Sequence, residues 1–448
     1  LGDKRPTFID LFAGAGGMSH GFVMQGYNPL YANDHEKPAL ATYSANNPST
    51  VVSNQDIEIV YPTAIRKAFG LAPGKLDLLT GGPPCQGFST YGQRNVGDTR
   101  NQLYQHFIGF LAEFRPKAFV MENVVGLLSI EGGRIIDDIL VKTSKLGYEV
   151  QVVTLDAADF GVPQFRKRVF VLGGTGRQKI STPCPTHSTA YTAVEKVRKD
   201  AKQTSFWEEV RTEPIQRANT VRDAISDLPR EVLTPKLTQA SIPYPTFSCL
   251  TPYQVEMREG SDSVLYHSAK QMLGIRRLRL TLMRPGDYGN TIRSRIAQAG
   301  LPNDVIDELL SGGGSLRDVS LVRSEDRVKE GQLRELLQQG HVKIEEVLAF
   351  LNSGGFANKY RRLEWDSPSH TLVAHMARDC SDFVHPDIDR FISVREAARL
   401  QSFPDRYLFL GSQFQQLRQI GNAVPPKLSE AIATEVSNFL GYRFEAAS

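Results

Sequence analysis

Cysteine is scarce in this chain. There are four among 448 residues, Cys85, Cys184, Cys249 and Cys380, and no two of them are close in sequence. That spacing excludes the paired-cysteine knuckles of structural zinc sites, and no metal is expected. A chain of this length can bury a core without covalent staples, so free thiols in a reducing compartment are expected rather than a disulfide framework. Long apolar runs are also missing, and nothing approaches the ~20 residues of a membrane-spanning helix. The opening Leu1-Gly2-Asp3-Lys4-Arg5-Pro6 has a basic character but no apolar core behind it, so no signal peptide is expected. Neither sign of charge dominates: 52 Lys and Arg stand against 49 Asp and Glu, for a net +3. That balance neither demands nor excludes nucleic acid, because distribution decides.

One window is lopsided. Between Lys270 and Arg295, Arg276, Arg277, Arg279, Arg284 and Arg293 meet a single acid, Asp287, with Tyr288 interleaved. Two readings stand side by side, a solvated helix face or a surface that contacts phosphates.

With 41% hydrophobic and 23% charged residues, the composition is that of a globular protein of two to three domains. The first ~175 residues alternate strands and helices, the mark of a mostly parallel sheet. Thr7 to Phe12 reads as a short buried strand, and Tyr31 to Asp34 ends a second. Lys75 to Thr80 and Ala118 to Met121 read as two more, and Val150 to Leu155 and Val169 to Leu172 complete the set. Helical spacing marks Asn101 to Phe114 and Ile135 to Leu146. After Gly173 the pattern turns to loops rich in Thr, Pro, Lys and Arg. Helical character returns over 303–352, broken by Gly312-Gly313-Gly314-Ser315, and again at Ser393 to Leu400 and Lys427 to Leu440. The expected division is 1–173 for a first domain, 174–390 for a second, and 391–448 for a closing segment whose last helix returns to the first domain.

Several strand ends carry chemistry. Phe12-Ala13-Gly14-Ala15-Gly16-Gly17 leaves one strand and opens a helix, where free N–H groups meet a polar or anionic group. Asp34 ends the next strand, where an acid holds the ribose hydroxyls of an adenosine cofactor. The glycine spacing departs from the dinucleotide pattern, which counts against a nicotinamide enzyme. Gly81-Gly82-Pro83-Pro84-Cys85-Gln86-Gly87-Phe88-Ser89 follows another strand, and its prolines restrict the backbone just before Cys85. A lone cysteine is by default a buried structural one, but at such a strand end it is a candidate nucleophile. Glu122-Asn123-Val124 is a candidate acid at a further strand end. Gln164-Phe165-Arg166-Lys167-Arg168 opens the last strand, with Arg166 and Arg168 on one side of an extended segment.

Together and in this order, these motifs resemble the DNA cytosine-5 methyltransferase family. Arg395-Glu396-Ala397-Ala398-Arg399-Leu400-Gln401-Ser402-Phe403-Pro404 and Gln419-Ile420-Gly421-Asn422-Ala423-Val424-Pro425-Pro426 are similar to its last two motifs. The resemblance covers roughly 7–173 and 390–440, and 174–390 corresponds to the family's variable target-recognition region. It implies a Rossmann-like α/β sheet domain that binds S-adenosylmethionine, with a smaller target-recognition domain.

By the same resemblance Phe12, Gly14, Ala15, Gly17, Asp34, Asp56, Ile57, Leu103, Asn422 and Val424 would contact the cofactor. Relatives often carry Glu where Asp34 stands. Cys85 would be the nucleophile, Glu122 the acid, Arg168 the group holding the cytosine carbonyl, and Arg166 a group steadying the acid and the DNA backbone. Pro84, Gln86, Ser89 and Asn123 would face the substrate, while Arg276, Arg277 and Arg279 are substrate candidates from the basic window alone, as phosphate contacts. The implied partner is double-stranded DNA, with a cognate restriction endonuclease acting separately. The enzyme is expected to be a monomer in the cytoplasm at the bacterial nucleoid. The alternatives are a transfer-RNA methyltransferase on the same scaffold or an inactive DNA-binding relative. Phe247-Ser248-Cys249-Leu250-Thr251 lacks the Cys-Phe-Thr element of the RNA branch, and an inactive relative would have lost the nucleophile loop or the acid.

Overall fold

The computed structural model describes residues 5–84, 103–189, 215–237, 240–247, 249–270, 280, 283–287 and 360–442. Its centre is a seven-stranded sheet of β1 (Thr7–Leu11), β2 (Asn28–Asn33), β3 (Val51–Ser53), β4 (Leu78–Gly81), β5 (Ala118–Asn123), β6 (Tyr148–Asp156) and β7 (Lys167–Thr175). The order across the sheet is β3-β2-β1-β4-β5-β7-β6. Strands from β3 to β5 run parallel, whereas β7 runs antiparallel to both β5 and β6. The sheet is therefore mixed at one end, a reversal that hydrophobic patterning does not carry.

The central strands are apolar on both faces because helices cover both. Phe8, Ile9 and Leu11 of β1 are fully buried. On one face pack α3 (Pro62–Ala68), α4 (Tyr104–Phe114) and α5 (Arg134–Lys145), through Phe107, Phe110, Phe114, Ile135 and Ile139. On the other, Phe22 of α1 (Gly17–Met24) meets Leu428, Ile432 and Val436 of the long C-terminal helix, Pro426–Leu440. The Ser429 hydroxyl donates to the Met18 carbonyl at 2.6 Å, tying the chain's end to its beginning. Between β2 and β3, α2 (Lys37–Asn46) adds Leu40 and Tyr43.

A second core gathers α6 (Val221–Ile225), α7 (Pro252–Arg258), α8 (Val394–Leu400) and α9 (Gln413–Asn422), which leaves Pro426–Leu440 as α10. Each of the four opens with a capping box: Thr220 with Asp223, Thr251 with Gln254, Ser393 with Glu396, Ser412 with Gln415. These reciprocal bonds satisfy the orphan N–H groups that would otherwise fray such short helices. Phe383 and Val384 lie in the same core as Ile392, Val394 and Leu400, so residues on both sides of 390 share it. The helical stretch expected over 303–352 lies outside the described residues.

This second core is cross-braced by buried charge. Arg399 is fully buried and donates to Asp227 at 2.5 Å and to Asp405 at 2.6 and 2.8 Å. Arg390 grips Glu396 through two bonds of 2.7 and 2.8 Å. Burial works against the charge on Asp405, and Arg399 overcomes it, holding the carboxyl below its ordinary 3.8. A depressed carboxylate contributes stability that is present above its unfolded value and lost as pH falls through its folded one. Removing the cation inverts that sign. Arg399→Met leaves Asp227 with Arg258 at 2.7 Å and Asp405 with Arg395 at 3.8 Å and the Tyr244 hydroxyl, and is expected to cost about 3 kcal/mol at neutral pH. Urea denaturation across pH is expected to show the deficit narrowing as pH falls and the Asp405 carboxyl, deprived of its main cation, takes up a proton. A deficit that widened on acidification would contradict this reading of the network.

Candidate functional site

Sheet polarity decides where the chemistry sits. The parallel strands β1, β2, β4 and β5 all end at one edge, and antiparallel β7 begins there. The glycine loop, Asp34, Gly82-Pro83-Pro84, Glu122 and Arg168 are thus delivered to one rim from distant parts of the chain.

The loop after β1 turns through left-handed conformations at Phe12 (φ 56°), Gly14 (φ 54°) and Gly16 (φ 88°). Asp34, just past β2, accepts from the Gly14 N–H and the Glu36 N–H, both at 2.8 Å. Burial pushes its carboxyl up, while those two N–H groups and His35 pull it down. Asn33 donates to the carbonyls of Ser53 at 3.1 Å and Gln55 at 2.9 Å, drawing the segment that holds exposed Asp56 and buried Ile57 to the end of β2. A Cβ placed on Gly14 would meet nothing within 4 Å, so open space lies over the loop. On Gly17 it would meet the Val424 carbonyl oxygen at 2.4 Å and the Ala423 Cβ at 2.9 Å. Gly17 is thus glycine because the helix docks on segment 423–424, which brings Val424 against the loop. Leu103 stands immediately before α4, and Asn422 ends α9 with its side chain exposed. Helix-terminal N–H groups, open space and carboxylates on adjacent strand ends form a fitting cradle for an adenosine cofactor with a charged amino-acid tail.

Beside this cradle, Glu122 forms an ion pair with Arg168 at 3.0 Å, both side chains largely buried. Register explains the pair. Glu122 lies opposite Phe170, and Arg168, two residues along β7, shares that face diagonally. Burial pushes the Glu122 carboxyl up, with Arg168 and then Arg166 opposing. Gly82 leaves room, since a Cβ there would lie 3.1 Å from the Glu122 Oε2. Asn123 donates to the Pro83 carbonyl at 2.9 Å, fixing the start of the proline segment to the end of β5. Pro84 is half-buried next to it.

Arg166 differs from expectation. It is 1% exposed and donates to the carbonyls of Leu372 at 2.5 Å and Gly421 at 3.1 Å. So placed, it cannot contact a DNA backbone, and it joins the strand carrying Arg168 to the C-terminal motifs. Gln164 does the same, donating to Leu400 O and accepting from Leu372 N–H. Cys85, Gln86 and Ser89 lie outside the described residues, as do Arg276, Arg277 and Arg279. Tyr407, whose hydroxyl touches the glycine loop, and His35, between Asp34 and Glu36, were not singled out by sequence. The aromatic spacing Phe403, Tyr407, Phe409 was the available signal for the first.

This sheet order with one reversed strand, and this rim, define a Rossmann-like methyltransferase of the S-adenosylmethionine-dependent class. The C-5 cytosine-specific DNA methylase family matches residues 6–438, and the chain belongs to it: the protein is a DNA (cytosine-5-)-methyltransferase. It is 56% identical to the type II methyltransferase M.AgeI of Thalassovita gelatinovora, across 96% of this chain and 98% of that one. Identity to M.DdeI of Desulfomicrobium norvegicum is 33%, across 96% and 88%. In fold the chain is similar to an E. coli prophage-encoded DNA modification methyltransferase, with TM-score 0.65, 21% identity, and coverage of 98% and 100%.

The two classes of glycine predict opposite effects. Gly17→Ala drives a Cβ into backbone and is expected to lower stability by about 1–3 kcal/mol. Gly109, inside α4 with nothing within 4 Å, is expected to gain about 0.5–1 kcal/mol as alanine. Urea denaturation of both variants checks the signs, and a neutral Gly17→Ala would contradict the close docking.

Proposed function

We propose that this enzyme methylates carbon 5 of a cytosine flipped out of duplex DNA, through a transient bond to Cys85. The observation that carries the reading is the buried Glu122, paired with Arg168 and anchored beside the proline segment that leads directly to Cys85.

Carbon 5 of cytosine is unreactive while the ring is aromatic. The Cys85 thiolate adds to carbon 6, and the displaced electron pair makes carbon 5 enamine-like as ring nitrogen 3 takes a proton. Glu122 supplies that proton, for which its raised pKa suits it. Arg168 sits beside the acid, where its remaining N–H groups hold the cytosine carbonyl. Arg166 is a positioning residue, tying the base of β7 to Leu372 and Gly421. Phe12, Gly14, Ala15, Gly17, Asp34, Asp56, Ile57, Leu103, Asn422 and Val424 would hold S-adenosylmethionine, with Asp34 reaching the ribose hydroxyls. When bound, that cofactor supplies the electrophilic methyl that the activated carbon 5 takes. Loss of the carbon-5 proton to water, departure of the Cys85 thiolate and return of the nitrogen-3 proton to Glu122 then restore the ring and the acid. A stacked base offers no face to Cys85, so the cytosine leaves the helix.

Residues 174–390 form the target-recognition region, with Arg276, Arg277 and Arg279 on DNA phosphates and Pro84, Gln86, Ser89 and Asn123 near the flipped base. The type II names of the similar enzymes support a place in a restriction-modification system beside a separate endonuclease. We read the enzyme as a cytoplasmic monomer acting at the nucleoid.

Cys85→Ala is expected to abolish transfer of labelled methyl groups to DNA while leaving cofactor binding intact. Glu122→Gln is expected to slow transfer by about 100- to 10,000-fold. Because the protonated acid is the working form, kcat/KM falls as pH rises through the elevated Glu122 pKa. That alkaline limb disappears in Glu122→Gln. Retained turnover in Cys85→Ala, or an unchanged alkaline limb in Glu122→Gln, would overturn the assignment.

A further inference from the structure

Beneath the glycine loop lies a polar cluster that the methyl-transfer chemistry does not use. Tyr407 is 1% exposed, and its hydroxyl donates to the Ala15 carbonyl at 2.6 Å across 392 residues of sequence. A Cβ on Gly16 would lie 2.9 Å from the Tyr407 oxygen and 3.0 Å from Tyr43 Cδ2, so the loop rests directly on these two tyrosines. Tyr43 is held in turn, its hydroxyl 2.9 Å from Ser19 Oγ, which donates to buried Asp10 at 2.5 Å. The loop is thus pinned at adjacent residues by two different parts of the chain, at the Gly14 N–H by Asp34 and at the Ala15 carbonyl by Tyr407.

Tyr407 is itself immobilised from the second core. Phe403 and Phe409 pack on its ring at 4.7 and 5.4 Å, and Arg395 donates to its carbonyl at 3.1 Å. Its neighbour Asp405 belongs to the Arg399–Asp227 network. A loop with left-handed φ at Phe12, Gly14 and Gly16 has many alternatives open to it. Holding one carbonyl with a buried, immobile donor removes those alternatives before the ligand arrives, and preorganisation of this kind raises affinity.

We propose that Tyr407 is a positioning residue for the cofactor, its hydroxyl holding the Ala15 carbonyl so that the glycine loop is preformed for S-adenosylmethionine. This rests on the reading that residues 12–17 bind that cofactor.

The test compares two conservative variants that each remove one buried hydroxyl from a backbone carbonyl. Tyr407→Phe frees Ala15, whereas Tyr253→Phe frees Arg399 O, which Tyr253 holds at 2.5 Å in the same core but away from the loop. Binding of S-adenosylmethionine is measured by titration calorimetry, with KM for cofactor and DNA, kcat and melting temperature. Tyr407→Phe is expected to bind cofactor about tenfold more weakly. Its KM for cofactor rises in step, while kcat at saturating cofactor and KM for DNA stay unchanged. Tyr253→Phe is expected to lower the melting temperature comparably and keep full cofactor affinity. Wild-type affinity in Tyr407→Phe, or equal loss in Tyr253→Phe, overturns the proposal. Gly14→Val separates the two readings. If it abolishes binding while Tyr407→Phe does not weaken it, the positioning role alone falls. If neither variant weakens binding, the cofactor does not sit at this loop.

Discussion

The structure depends on the direction of its strands. Parallel strands end together, so every loop leaving β1, β2, β4 and β5 opens at one rim, and a strand paired antiparallel to β5 must begin there. The glycine loop, Asp34, the proline segment, Glu122 and Arg168 meet for that reason, although they span residues 12 to 168. Had β7 run parallel, Arg168 would lie at the opposite end of the sheet from Glu122. The acid would then be buried without a cation, and the cost of its charge would rise accordingly.

The C-terminal motifs hold this rim in shape. Arg166 and Gln164 bond to Leu372, Gly421 and Leu400, Gly17 docks on Val424, and Tyr407 reaches Ala15. These contacts run between the sheet and the core built on α6 to α9. Arg166, the one charged residue among these, is buried with its hydrogen bonds made to backbone carbonyls, which serve as rigid acceptors with no rotamer entropy to lose. The last helix, α10, returns over α1 and closes the face of the sheet beneath the loop.

Much of the site was legible in sequence because central strands are short apolar runs that stop at Gly, Pro or an acid, and ligands bind where they stop. Thr7 to Phe12 and Ala118 to Met121 could be placed on that basis. The three-residue edge strand Val51–Ser53 is too short to show a period, and a strand's direction leaves no trace in periodicity, so the reversal of β7 was hidden. The resemblance sets Arg166 beside the acid and the DNA backbone; only the carbonyls of Leu372 and Gly421, distant in sequence, show its guanidinium to be buried. Tyr407 escaped for the same reason, its partner lying 392 residues away.

The central claim is that Cys85 bonds to carbon 6 of the target cytosine while Glu122 protonates the ring. Once carbon 5 is methylated, the bond to Cys85 breaks only as carbon 5 loses its proton, and fluorine at that position cannot leave as a cation. The most direct measurement is therefore incubation of the enzyme with duplex DNA carrying 5-fluorocytosine in place of cytosine, followed by denaturing gel electrophoresis. The account predicts a protein–DNA adduct that survives denaturation, accumulates with S-adenosylmethionine and is absent with Cys85→Ala. Methyl transfer to the fluorinated duplex without an adduct would contradict it.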